Sequence, residues 1–204
     1  NAPGCVGVPL KGVEVRISSE GEVLVRSEAT MQGYFKEPGK TAETLTLDGS
    51  LRTGDKGEQD EEGNLRLTGR IKEIFKTSKG KFVAPAPIEN RMAVDTRLEQ
   101  ICVVGEGMVQ PLAICVLSEA GRSAANGEGR IELESALRSL LAQINGELDK
   151  HEQLRGIVLV KDVWAVENGY LTPTLKIKRA VIESSYGKHF EDWLQRCDAV
   201  LWQE

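Results

Sequence analysis

Aromatic residues make up only 5% of this 204-residue sequence, histidine occurs twice, and the four cysteines are scattered. Each scarcity excludes something. With few rings, there is little on which successive bases of a nucleic-acid strand could stack. The formal net charge of −5 also disfavours non-specific binding to a phosphate backbone, so no nucleic-acid partner is expected. His151 and His189 have neither a cysteine nor a second histidine at ligand spacing, which argues against a structural zinc site. Cys5, Cys102, Cys115 and Cys197 are too widely spaced to suggest a disulfide framework. Cys102 and Cys115 lie inside apolar runs and read as buried thiols. No stretch approaches the ~20 apolar residues that cross a bilayer, and no secretory signal opens the sequence, so a cytoplasmic setting is expected. The initiator methionine is missing too. The opening Asn1-Ala2-Pro3-Gly4 reads as the start of a piece cut from a longer protein, with Asn1 and Ala2 as a tag remnant.

What is present suits a folded protein. Hydrophobic residues are 40% and charged residues 28%, enough for one domain of ordinary size or two small ones. Up to about residue 70 the chain reads as short strands between glycine and acidic turns. Val13-Glu14-Val15-Arg16-Ile17 alternates, Glu22-Val23-Leu24-Val25-Arg26 follows, and a hairpin around residues 60–64 leads into Leu65-Arg66-Leu67. A helix over 38–45 starts on Pro38. These strands have no sequence of their own to cover both sheet faces, and they resemble the edge of a larger domain. From residue 72 onward helices and strands alternate. Helices are expected over 88–97 (entered through Pro85 and Pro87), over 131–148 on a leucine-rich face, and over 177–186. Strands are expected over 101–104, 112–117 and 156–160, and 118–130 reads as a loop. Trp164, Trp193 and Trp202 are assigned to packing around the terminal elements, with an interface as the alternative for Trp193 and Trp202. The predicted fold class is α+β, with a β-rich segment at 1–71 and a small α+β domain at 72–204.

Three clusters could carry chemistry. Arg52-Thr53-Gly54-Asp55-Lys56-Gly57, with Gly69-Arg70 further on, sets a carboxylate and an arginine near glycine turns, a pairing able to grip a ribose and its phosphate. Lys76-Thr77-Ser78-Lys79-Gly80-Lys81 is a lysine-rich glycine loop suited to phosphate, although it lacks Walker spacing. Taken singly, each of these is explained better by a solvated turn. The third cluster runs from Gly169 through Leu171-Thr172-Pro173-Thr174-Leu175-Lys176 to Lys178 and Arg179. It places cations at a helix start, where the dipole disfavours them unless an anion visits.

In order along the chain, these segments resemble the adenylate-forming enzymes. The resemblance rests on Gly21-Glu22-Val23-Leu24-Val25-Arg26, Met31-Gln32-Gly33-Tyr34-Phe35, Lys40-Thr41-Ala42-Glu43-Thr44 and Arg52-Thr53-Gly54-Asp55-Lys56-Gly57. It continues through Gly69-Arg70-Ile71-Lys72-Glu73, Ser78-Lys79-Gly80-Lys81-Phe82-Val83-Ala84-Pro85 with Ile88-Glu89, and the segment ending at Arg179. The later motifs look like the long-chain fatty acyl-CoA synthetase branch. The resemblance implies that Asp55 and Arg70 contact the ATP ribose, Lys72 is the hinge, Gly80 and Lys81 face the CoA channel, and Lys176 is the catalytic lysine of adenylation. Leu175 stands where a glycine often precedes that lysine. ATP, magnesium and CoA belong to the whole enzyme; its substrates are a fatty acid and CoA, and its missing partner is a large N-terminal domain in cis. Peripheral membrane contact by the whole protein is left open. A phosphate loop and an acyl pocket are absent from these residues, so the piece alone is expected to be inactive. The alternatives are a non-catalytic binding or regulatory module derived from the fold, and a ligase that charges a carrier protein.

Overall fold

A computed structural model describes residues 5–127, 129–196 and 198–203. Asn1, Ala2 and Cys197 lie outside the described residues. The chain forms two compact units, one ending at Ile74 and the other starting at Phe75.

In the first unit, β1 (Val13–Ile17), β2 (Glu22–Ser27), α1 (Pro38–Thr44), β3 (Leu51–Gln59) and β4 (Leu65–Arg70) follow in order, then a single 3-10 turn, Ile71–Glu73. The four strands pair antiparallel in sequence order. Along β1 burial alternates residue by residue, as a period-2 strand with one covered face requires. The 60–64 hairpin is closed by Asp60, whose carboxylate accepts from the Asn64 backbone at 2.8 Å. One expectation is corrected. Residues 52–57 do not form a turn but lie inside β3, whose pairing shifts register at Glu22/Leu24 and again at Lys56/Gly57. Gly57 makes the second irregularity workable: a Cβ there would come within 2.7 Å of Val23 and 2.9 Å of the Arg66 carbonyl.

The second unit opens with a small hairpin, β5 (Phe75–Lys76) and β6 (Phe82–Val83), followed by α2 (Pro85–Met92). Next come β7 (Leu98–Val104), β8 (Leu112–Leu117), α3 (Glu119–Ala124), α4 (Gly129–Glu147) and β9 (Ile157–Leu159). The chain closes with α5 (Arg179–Tyr186), α6 (Phe190–Gln195) and β10 (Val200–Trp202). The sheet order is β10-β9-β8-β7, in which β8, β9 and β10 are parallel and β7 is antiparallel. Every residue of β8 is buried, because helices cover both faces. On one face Ile88 and Met92 of α2 and Leu133, Leu137, Leu141 and Ile144 of α4 pack on Val103, Cys115 and Leu159. On the other, Ile182 and Tyr186 of α5 and Trp193 of α6 pack on Cys102, Ile114 and Val158. Cys102 and Cys115 are thus both buried, on opposite faces.

Some boundaries differ from the sequence reading. The helix expected over 88–97 starts at Pro85 and stops at Met92, since Asp95 and Arg97 pair with each other and form a turn. The segment read as loop contains α3, whose N-cap Ser118 accepts the Gly121 N–H at 3.1 Å. The helix expected from residue 177 begins at Arg179. Trp164 and Trp193 are core residues, whereas Trp202 is half-buried.

Candidate functional site

In the first unit the expected ribose-binding pair is formed by pairing geometry. Asp55 and Arg70 face each other in the β3–β4 register, and the Arg70 Nε lies 2.9 Å from Asp55 Oδ1. Asp55 Oδ2 accepts no hydrogen bond among the described residues. A free carboxylate oxygen beside a cation is the donor-seeking arrangement that a vicinal diol satisfies. What holds Asp55 there is Glu22, a buried carboxylate on β2. Its Oε2 pairs with Arg52 NH1 at 3.0 Å and its Oε1 accepts the Gly54 N–H at 3.1 Å. Thr53 adds a bond to the Val23 carbonyl at 2.8 Å and accepts the Asp55 N–H at 3.1 Å. Lys72 is exposed in the 3-10 turn, between extended residues Arg70 and Ile74, just before the unit ends.

In the second unit Gly80 and Lys81 occupy the tip of the β5–β6 hairpin. Gly80 has φ +77, a left-handed conformation suited to glycine, and its N–H bonds the Thr77 carbonyl at 2.9 Å. Thr77 is buried and closes the turn against Lys81. The Ser78 N–H reaches the Met108 carbonyl at 2.9 Å, and the Gly107 N–H reaches Lys76 at 2.9 Å, which fastens the hairpin to the β7–β8 turn. Lys79, Lys81 and Phe82 are left exposed, with Lys76 Nζ over the Phe82 ring.

Lys176 lies on a loop closed by hydrogen bonds. Thr172 and Lys176 exchange backbone and side-chain bonds: Thr172 N–H to Lys176 O at 2.8 Å, Lys176 N–H to Thr172 Oγ1 at 3.0 Å. Leu171 and Ile177 form a β-bridge below them. The loop's base is an aromatic stack. Tyr170 lies against Trp164 (6.0 Å between centroids) and Tyr186 (6.1 Å). The Tyr186 hydroxyl donates to Asp162 at 2.8 Å and accepts from Trp164 Nε1 at 3.2 Å. Burial holds that phenol far above the ordinary tyrosine value, so it remains a donor. The Lys176 ammonium, in contrast, is exposed and makes no hydrogen bond or ion pair among the described residues. Leu175, just before it, is exposed and has φ +60, which costs a branched L-residue about 1–2 kcal/mol.

The three cations at this helix start do not act together. Arg179 turns inward, 2.8 Å from Glu89 Oε1 and 2.6 Å from the Val103 carbonyl, while Glu89 Oε1 also accepts the Val103 N–H at 2.7 Å. Arg179 therefore ties α5 to α2 and β7, and the cost of a cation at the helix start is met by Glu89 rather than by a visiting anion. The pair, 90 residues apart in sequence, is the feature that reading the sequence missed.

A family model described as the AMP-binding enzyme C-terminal domain matches residues 72–197. The chain is similar to long-chain-fatty-acid–CoA ligase 1 of Cavia porcellus, with 34% identity over 187 residues, 85% of this chain and 27% of that protein. It is 32% identical to long-chain-fatty-acid–CoA ligase FadD15 of Mycobacterium tuberculosis over 92% of this chain and 33% of that one. Among solved structures, the A domain of a carboxylic acid reductase from Segniliparus rugosus, in complex with AMP and a co-purified carboxylic acid, superposes with TM-score 0.74 at 26% identity. That match covers 91% of this chain and 32% of the other. The amide bond synthetase McbA from Marinactinospora thermotolerans matches with TM-score 0.67 at 28% identity, over 90% of this chain and 36% of its own. The chain spans about a third of the length of the curated relatives it matches.

Proposed function

Because the chain belongs to the AMP-binding enzyme family, matching its C-terminal domain over residues 72–197, we propose that it is the carboxy-terminal part of an ATP-dependent acyl-CoA synthetase acting on a fatty acid. The observation that carries this reading is the contrast at the Lys176 loop. Its backbone is pinned and its base is stacked on rings, yet its ammonium is left without a partner. A fixed loop that carries an unpaired ammonium is placed to meet a charge that arrives with substrate.

In the proposed first half-reaction, a carboxylate oxygen attacks the α-phosphorus of ATP. The bond to the β-phosphate oxygen breaks, pyrophosphate leaves with the electron pair, and an acyl-adenylate forms. Lys176 offsets the repulsion between carboxylate and phosphate and the charge that builds in the transition state. Asp55 takes the ribose hydroxyl hydrogens on its free oxygen while Arg70 fixes the other. In the second half, a thiolate attacks the acyl carbon and AMP leaves. Lys72, exposed between two extended residues, is the proposed hinge, with residues 1–71 as the tail of a large domain and 72–204 as the mobile one. Turning there withdraws Lys176 and brings the Gly80–Lys81 tip forward, since one arrangement serves one half-reaction. Magnesium would arrive with ATP in the whole enzyme and offset phosphate charge there. Isolated, it lacks the rest of the pocket and is expected to turn over nothing.

The test is pyrophosphate release from ATP and palmitate by the full-length enzyme, beside its Lys176→Ala form. Adenylation is expected to fall by about 10²–10⁴, with thioester formation from supplied acyl-adenylate retained. An intact enzyme inactive on a broad carboxylate panel would sink the reading in favour of a non-catalytic module. Running the second half with CoA and with a carrier protein decides the acceptor.

A further inference from the structure

The three parallel strands of the second unit end together. Leu117 closes β8, Leu159 closes β9 and Trp202 closes β10, and beyond these ends lies a cavity of about 590 Å³ that all three residues line. The size falls within the range of small-molecule sites, and the crevice outside the carboxyl ends of parallel strands is where open α/β sheets take ligands. It lies at the opposite end of this sheet from the β5–β6 hairpin, which is fastened to the β7–β8 turn.

Among the described residues, Arg122, Arg130 and Lys161 line it and no carboxylate does. The arginines are braced by their neighbours. Arg130 lies over the Trp202 ring, 4.4 Å from its centroid, and its Nε donates to Glu134 at 3.1 Å, while Trp202 Nε1 donates to the same Glu134 oxygen at 2.7 Å. This uses Nε and leaves both terminal nitrogens of Arg130 without a hydrogen-bond partner among the described residues. Arg122 NH1 donates to the Leu117 carbonyl at 2.5 Å and lies 3.6 Å from Glu99. The Lys161 ammonium has no partner among the described residues. The floor between them is apolar.

We infer that this cavity is a binding site for an amphiphilic anion, a phosphate or carboxylate head on an apolar body, with Arg130 and Lys161 at the head and Leu117 and Leu159 against the body. It is independent of the residues assigned to adenylation and stands whether or not that assignment does. Arg130 supplies a fixed fork and Lys161 an adjustable point charge. The neighbouring apolar wall makes the body contribute as well as the head.

The test titrates octyl phosphate, octanoate and inorganic phosphate separately into the 204-residue chain, following the Trp202 indole N–H by NMR. Saturable shifts are expected with one or both amphiphiles, and the tighter of the two names the head group. Inorganic phosphate is expected to bind at least about tenfold more weakly, for want of the body. Lys161→Gln removes an exposed, unpartnered cation that the fold does not use, and should weaken binding about tenfold. Arg130→Gln should weaken it further, with Trp202 packing monitored in the ligand-free protein. No saturable shift at Trp202, equal binding of octanol, or an unchanged affinity in Lys161→Gln overturns the site.

Discussion

The chain's two four-stranded sheets are filled in opposite ways. In the second unit both faces of the sheet are covered and β8 is apolar throughout, so hydrophobic burial dominates its interior. In the first unit, among the described residues, the buried hydrophobic side chains are Val23 and Leu24. Buried Glu22, Ser50 and Asn64 sit beside them and make hydrogen bonds. A polar interior of this kind holds a loop in one geometry, whereas an apolar one holds a body together. The Asp55–Arg70 pair lies on the polar sheet, and the Lys176 loop lies over the apolar one.

The contrast can be broken most forcefully inside the second unit. If apolar filling were all that held it, Glu89→Ala would cost little. We expect about 2–4 kcal/mol, because the largely buried Arg179 guanidinium would lose the Glu89 carboxylate that pairs with it. All three tryptophans belong to this unit, so a urea transition followed by their fluorescence measures it; a cost below about 1 kcal/mol contradicts the assignment. Glu22→Ala addresses the other side of the comparison. Its loss should cost about 1–3 kcal/mol and should be local: hydrogen exchange at Gly54 and Asp55 quickens while the β8 amides are unchanged. Equal effects on both sheets would mean that Glu22 does not act locally on β3. The smallest effect is expected at Leu175→Gly. Relief of the left-handed strain outweighs the added freedom of the unfolded chain, for a net gain of about 0.5 kcal/mol. A destabilised variant in the same urea assay would show that the Leu175 side chain packs usefully despite its exposure.

How much of this was legible beforehand follows from the same contrast. The β8 run and the leucine face of α4 announce themselves, because burial on a regular element leaves a periodic trace in adjacent residues. Asp55, Arg70, Gly80, Lys81 and Lys176 were reached through family resemblance, and their roles remain proposals. Residues 52–57 read as a turn because their glycines and charges suit one. They form a strand because Glu22, distant in sequence, satisfies the irregular backbone. Arg179 was grouped with Lys176 and Lys178 for the same reason, since nothing local reveals a carboxylate 90 residues away. The closing elements α6 and β10 are too short to leave a period; β10 is recognisable only by its parallel pairing with β9.

The Glu89–Arg179 pair has one more consequence, for the behaviour of the protein in a crowded solution. β7 is the rim of its sheet, and a rim strand offers a vacant ladder to any extended segment that drifts alongside. At Val103 both the N–H and the carbonyl are already taken by the chain's own side chains. An incoming strand would meet an occupied rung one residue from the end of β7, and the ladder could not run on through that end. The clamp that joins two helices to the sheet thereby also shortens the stretch of β7 open to edge-to-edge pairing.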